Sequence, residues 1–200
     1  MTNLIDSYHT FRLRTKRDPE AFAQIYDRHV EAIYRFAALK LPTAEEAQDV
    51  TSETFTRTWQ YIVEKKQILN IRAMLYKVAR NLIADHYRRQ HPVESFDRTV
   101  TFDPLSASTL VQAEKGDKGE GHRLIEARAD FALILKQMEL LKEDYRDVLL
   151  LRLVDDLPFD MIGEILEKST GTVRVIYHRA LKALKELEGM KDAADIPNDH

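Results

Sequence analysis

Residues 158–188 read PFDMIGEILEKSTGTVRVIYHRALKALKELE, and the fold is decided there. The stretch spells a short helix, a tight polar break, and a second helix that opens with Gly171-Thr172-Val173-Arg174. Phe159, Ile162, Ile165 and Leu166 recur at spacings of three and four, which puts them on one apolar face. Ser169 suits the N-cap of the second helix, because its hydroxyl can accept a bond from an unsatisfied backbone N–H of the first turn. Val173, Ile176, Tyr177, Ala180, Leu181 and Leu184 mark the buried side of that helix. Arg174, His178, Arg179, Lys182 and Lys185 fall on the other side. A helix that packs inward on apolar groups and shows cations outward fits the second helix of a DNA-reading helix-turn-helix, which meets phosphates and base edges. The alternative is a surface helix with ordinary solvated lysines.

Outward from this segment, almost everything reads as helix. Asp18-Pro19 is a start signal, an N-cap followed by a proline at the first helical position. From there Phe22, Ile25, Tyr26, His29, Val30, Ile33, Phe36 and Ala37 keep helical spacing to about residue 40, and Pro42 stops the helix. Thr43-Ala44-Glu45-Glu46 is a capping box. The helix it starts runs to about Glu64 and is expected to bury Ala47, Val50, Thr54, Phe55, Trp59 and Ile62. A third helix spans about Asn70 to Gln90, with Ile71, Met74, Leu75, Val78, Ala79, Leu82 and Ile83 in one stripe. Lys77, Arg80, Asn81, Ala84 and Arg88 cluster opposite, a second cationic face far along the chain from the first. Taken alone, that face reads most simply as a solvated one.

Residues 92–122 change character. Pro92, Pro104, Gly116, Gly119 and Gly121 interrupt a polar stretch, which reads as an interdomain linker with at most a turn of helix around Ser108–Glu114. A second helical set begins near Arg123. Ala127, Phe131, Ile134, Leu135, Met138 and Leu141 form one helix; Tyr145, Val148, Leu149, Arg152 and Leu153 belong to the next. The tail from Lys191 is polar and expected to fray. The fold class is therefore all-α: two small helical domains joined by a flexible linker, residues 1–91 and 123–190 about a linker of 92–122, with a tail of 191–200.

Composition limits the function classes. The chain has 200 residues and no cysteine, which excludes disulfides and thiolate metal sites. Its seven histidines are scattered, and His86 and His91 are spaced wrongly to share a helix face as metal ligands. No metal or cofactor is expected. No apolar run is long enough to span a bilayer, and the first 18 residues, MTNLIDSYHTFRLRTKRD, lack a secretory apolar core, so a cytoplasmic protein without membrane insertion is expected. The formal charge of −3 confines any DNA contact to local patches and predicts weak binding by the isolated chain. No nucleophile triad, phosphate loop or paired-carboxylate constellation stands out, so no enzyme is expected.

The blocks AFAQIYDRHVEAIYRFA, AEEAQDVTSETFTRTW, IRAMLYKVARNLIADHYRRQ, LLKEDYRDVLLLRLVDDLPFDMIGEIL and STGTVRVIYHRALKAL follow one another in this order. Together they resemble bacterial RNA polymerase sigma factors of the sigma-70 family, specifically the small two-domain extracytoplasmic-function (ECF, group IV) type. The resemblance covers about residues 19–91 and 124–188. It implies a first domain that docks on the clamp of the largest subunit of core RNA polymerase and captures one strand of the promoter −10 element. It implies a second domain that reads the −35 element as duplex, and a linker that threads toward the active-site channel. Asp49 and Glu53, with Ser52 and Thr56 beside them, match the clamp-binding positions. Asn81 matches the −10 asparagine, with Lys77, Arg80 and Arg88 for the strand's phosphates and Tyr76 or Tyr87 as stacking planes. Arg174 and Arg179 match the −35 recognition arginines, joined by His178 and Lys182. The resemblance further implies an anti-sigma partner. The chain departs from the family at Thr51, Ser52, Met161, Val175, Ile176 and His178. A stand-alone helix-turn-helix regulator and a helical adaptor with no nucleic-acid role are the alternatives.

Overall fold

The computed structural model describes residues 18–64, 68, 70–90 and 131–194, and all of the regular structure among them is helical. The expected linker and its turn near Ser108–Glu114 lie outside the described residues, as do Ala127 and the tail from residue 195. The chain divides into two compact units.

The first unit holds α1 (Pro19–Ala38), α2 (Ala44–Val63) and α3 (Ile71–Gln90), each packed on the other two. Every start is fixed by a side chain that takes up a backbone donor the helix itself leaves unmatched. Glu20 N donates to Asp18 Oδ1 at 3.0 Å. Glu46 N donates to Thr43 Oγ1 and Thr43 N to Glu46 Oε2, both at 3.2 Å, a complete capping box. Ala73 N donates to Asn70 Oδ1 at 3.2 Å. With the ends set, the stripes converge. Ile25, Ile33 and Phe36 of α1 meet Ala47 and Phe55 of α2 and Leu75, Ala79 and Ile83 of α3 in a core almost without exposed surface.

Aromatic residues close this core at one end. Phe22 lies 4.9 Å from Trp59, and Tyr26 lies 4.7 Å from Phe55, centroid to centroid. Trp59 is only half-buried and Tyr26 is 41% exposed. Both keep the expected spacing, yet each lies at the margin of its stripe and covers the core with one ring face. Thr51 and Thr58, which were not among the residues expected inside, are also buried. Along with Thr54 they satisfy their hydroxyls on their own helix, donating to Ala47, Thr54 and Val50 carbonyls respectively at 2.7, 2.8 and 2.6 Å. A threonine bonded in this way presents a branched, largely apolar surface to its neighbours.

In the second unit a helix including residues 131–138 (α4) precedes α5 (Glu143–Leu149), which runs into a π-helical turn, Leu150–Val154. Then follow α6 (Phe159–Leu166) and α7 (Thr170–Ala194), with α7 packed on α5. The π turn corrects the expected register. Asp155 N donates back five residues to Leu150 O at 3.2 Å, so the turn holds one residue more than an α-helical turn. Residues 146–151 are all buried, Leu157 is buried, and Leu153 is 50% exposed although helical spacing placed it inward. Lys191–Ala194, expected to fray, continue α7.

The join between α6 and α7 is tight. Glu167 adopts a left-handed conformation (φ 55°), and Lys168 N donates to Gly163 O at 3.0 Å, closing the helix end. Thr172 N donates to Ser169 Oγ at 3.1 Å, the N-cap expected of the second helix. A Cβ at Gly163 would stand 2.7 Å from the Lys168 carbonyl oxygen, a backbone atom with little room to yield. At Gly171 the nearest atom to an added Cβ is Ser169 Oγ, at 3.8 Å. The two glycines should therefore respond to alanine with opposite signs. Gly163→Ala is expected to destabilise the protein by about 1–3 kcal/mol through overpacking. Gly171→Ala should stabilise it by about 0.5–1 kcal/mol through helix propensity. Urea unfolding followed by far-UV circular dichroism measures both; equal shifts would contradict the close approach.

Candidate nucleic-acid and partner interfaces

On α7 the apolar stripe settles the orientation of everything else. Val173, Ala180 and Leu184 are buried, and Ile176, Tyr177 and Leu181 are partly so. Arg174, His178, Arg179, Lys182 and Lys185 are consequently all exposed. Five potential cations along about three turns make an electropositive strip, and arginine adds a planar fork of donors suited to guanine or phosphate. Lys182 Nζ lies 3.8 Å from Glu186 Oε1, a contact too exposed to hold the ammonium in place. Arg174 is more constrained. Its guanidinium carbon lies 5.8 Å from the centre of the Phe159 ring. Val175, one of the departures from the family pattern, is 47% exposed and adds an apolar spot to the strip. Ile176, another, is half-buried and belongs with the packing side. Met161, a further departure, is 7% exposed and packs inward from α6, while His178, the fourth in this unit, is exposed.

The outer face of α3 forms by the same logic. Leu75, Tyr76, Ala79, Leu82 and Ile83 are buried, which leaves Asn81 and Arg88 exposed and Lys77, Arg80 and Ala84 half-exposed. Asn81 is thus the uncharged donor–acceptor on a rim of cations, suited to a bidentate contact with a base edge. The Arg88 guanidinium pairs with the Asp85 carboxylate one turn earlier. Neither tyrosine offers itself freely for stacking. Tyr76 is fully buried with its edge toward Phe36, ring centres 5.4 Å apart, so it belongs to the core. Tyr87 is half-buried and its hydroxyl donates to the Lys40 carbonyl at 2.5 Å.

On α2, Asp49, Ser52 and Thr56 are exposed and Glu53 is half-exposed. Thr56 Oγ1 donates to Ser52 O at 3.0 Å, and Arg57 Nε donates to Glu53 Oε1 at 2.7 Å. Asp49 and Glu53 line a groove of about 370 Å³ between α2 and α3, together with Val50, Arg57, Leu82, His86 and Arg89. The acidic residues were evident from the sequence. The groove was not, because Arg57 of α2 meets His86 and Arg89 of α3 only once the two helices pack; the four-residue spacing of Glu53 and Arg57 was the available signal. His86 Nε2 lies 3.3 Å from Glu46 Oε1, so the carboxylate that caps α2 also reaches α3. Among the described residues no group of three or more metal-binding side chains comes together. None of their helices is long and apolar enough to cross a membrane.

Comparison with known proteins gives these surfaces a context. The family descriptions "Sigma-70 region 2" and "Sigma-70, region 4" match residues 25–92 and 131–184. The ECF RNA polymerase sigma factor SigW of Bacillus subtilis is 30% identical over 177 residues, covering 86% of this chain and 90% of SigW. SigL of Mycobacterium tuberculosis, also named an ECF RNA polymerase sigma factor, is 28% identical over 80% of this chain and 85% of its own length. Among solved structures, that of CnrH in complex with the cytosolic domain of CnrY matches with a TM-score of 0.64 at 19% identity, covering 93% of this chain and 98% of the other, a likeness of fold. Two family regions matched in order, and a relative matched along nearly its whole length, place the chain among the ECF RNA polymerase sigma factors of the sigma-70 family.

Proposed function

We propose that this chain is a promoter-specificity subunit: it binds core RNA polymerase, directs it to −35 and −10 elements, and assists melting by holding one strand. It makes and breaks no covalent bonds in this role and acts in the cytoplasm. The observation that carries the reading is the pair of two-faced helices. Both α3 and α7 bury one stripe and leave cations with a base-reading group on the other, Asn81 on α3 and Arg174 and Arg179 on α7.

The assignments follow the chemistry of each face. Arg174, His178, Arg179 and Lys182 meet the −35 duplex. Asn81 takes the edge of a −10 base drawn out of the stack, and Lys77, Arg80 and Arg88 hold the strand's phosphates. Asp49, Ser52, Glu53 and Thr56 face the clamp of the largest polymerase subunit, where carboxylates complement a cationic partner. Residues 1–91 carry the polymerase and −10 contacts, and residues 123–190 carry the −35 contact. An anti-sigma protein that covers these faces is the expected regulator. A stand-alone regulator is disfavoured, because the match to the first region has no counterpart in a simple dimeric repressor. A net charge of −3 also favours a chain that reaches DNA on a larger carrier.

Sequencing the transcripts made by core polymerase plus this chain on genomic DNA tests the whole reading; a chain that dimerises and leaves initiation sites unchanged would refute it. Asn81→Ala is expected to slow open-complex formation, followed by permanganate reactivity, while co-purification with core polymerase persists. Reversing Asp49 and Glu53 to lysine should give the opposite pattern, loss of co-purification from a folded protein. Arg174→Ala or Arg179→Ala should weaken promoter binding by about 1–3 kcal/mol if the arginine makes a bidentate base contact. Unchanged DNase protection at the −35 site would remove that residue from the interface.

A further inference from the structure

We propose that Phe159 is the positioning residue for Arg174: its ring holds the guanidinium in place for the duplex, and Arg152 holds the ring. The proposal deepens the reading of α7 as the −35 helix and rests on it.

The arrangement begins in the π turn. Arg152 is half-buried there, and its Nη1 donates to Asp156 Oδ1 at 3.0 Å and to the Leu157 carbonyl at 3.1 Å. Asp156 adopts a left-handed backbone conformation (φ 46°). A single guanidinium thereby ties down the bend that leads into α6, and Phe159 is the first residue of that helix. The same guanidinium lies 5.3 Å from the Phe159 ring centre. From the α7 side, Tyr177 approaches the ring edge-on with centroids 5.3 Å apart, and Arg174, one turn earlier, lies 5.8 Å from it. Two cations and an aromatic edge therefore converge on one half-buried ring at the start of the helix-turn-helix.

The chemistry of this contact is compatible with DNA reading. A guanidinium lies against a ring through its flat face, attracted by the negative π cloud. Its N–H donors radiate in its plane and remain available at the edge, where base or phosphate acceptors are met. An exposed arginine otherwise samples many rotamers and loses that freedom on contact. Holding it beforehand lowers the ordering cost of binding. Lys182 is the contrasting case, an exposed cation whose ammonium lies 3.8 Å from the exposed Glu186 carboxylate.

The test uses holoenzyme reconstituted from core polymerase and the full chain. The probes are a promoter recovered from its own transcripts and all single base-pair substitutions across the −35 element. Phe159→Leu is expected to lower occupancy about three- to tenfold. It should flatten discrimination at the same base pair that Arg174→Ala flattens, and at no other. In the Phe159→Leu background, Arg174→Ala should add little. Phe159→Tyr, which keeps the ring face, should retain the wild-type pattern. Thermal melts check folding, and Phe159→Met, of similar bulk without a ring, replaces Phe159→Leu if the latter unfolds. Additive effects of the two substitutions, or a loss spread evenly over all −35 positions, would reduce Phe159 to ordinary packing and overturn the inference alone. An inert Arg174→Ala would instead remove Arg174 from the DNA interface, and the positioning role with it.

Discussion

A helix that must pack on its own domain and also meet a polyanion has one circumference to divide between the two tasks. Under the proposed function, α3 and α7 both meet that constraint. Each gives roughly one side to aliphatic and small residues, which sink between neighbouring helices, and this burial fixes the helix about its long axis. Cations elsewhere on the circumference are thereby aimed outward without any interaction of their own. The apolar residues thus determine which way Arg174, Arg179 and Asn81 point, although they lie on the opposite, packed side of each helix. Ends matter as much as sides. Asp18, Thr43, Asn70 and Ser169 each bond the first turn of their helices, so the starts of α1, α2, α3 and α7 carry a chemical marker.

Those markers explain why so much of the fold was legible beforehand. Caps and stripes are local: they depend on residues three or four apart, and the sequence displays them directly. The helix-turn-helix, the capping box and both cationic faces needed nothing else. The errors occurred where the local rule changed or a third element intervened. Leu153 was placed inward by a 3.6-residue period that the π turn interrupts. Thr51 and Thr58 were not among the residues expected inside, yet both are buried, and each hydroxyl finds its acceptor one turn back on its own helix. Tyr76 was indistinguishable from an exposed aromatic until Phe36 was seen against it.

The candidate sites divide along the same line. Asp49 and Glu53 could be picked out individually, but the groove they line is a property of two packed helices. Its basic side comes from Arg57 on the same helix and from His86 and Arg89 on the next. Such a mixed-charge cleft is more selective than a row of carboxylates, because a partner has to present cations and anions in matching order. Phe159 illustrates the same limit. As a letter in the sequence it was one more apolar residue of α6. Its convergence with Arg152, Tyr177 and Arg174 required a bend that no periodicity describes.

The glycine at position 163 reaches further than its size implies. With the Lys168 carbonyl oxygen 2.7 Å and the Thr170 nitrogen 3.6 Å from where a side chain would begin, α6 lies backbone to backbone against the turn and the first residue of α7. If α7 reads the −35 duplex as proposed, this joint supplies little of the adjustment to an ill-fitting groove. The work of accommodation passes to the double helix, whose steps differ in how readily they bend or narrow. Sites would then be ranked by their pliability as well as by their letters, including at base pairs that no side chain touches.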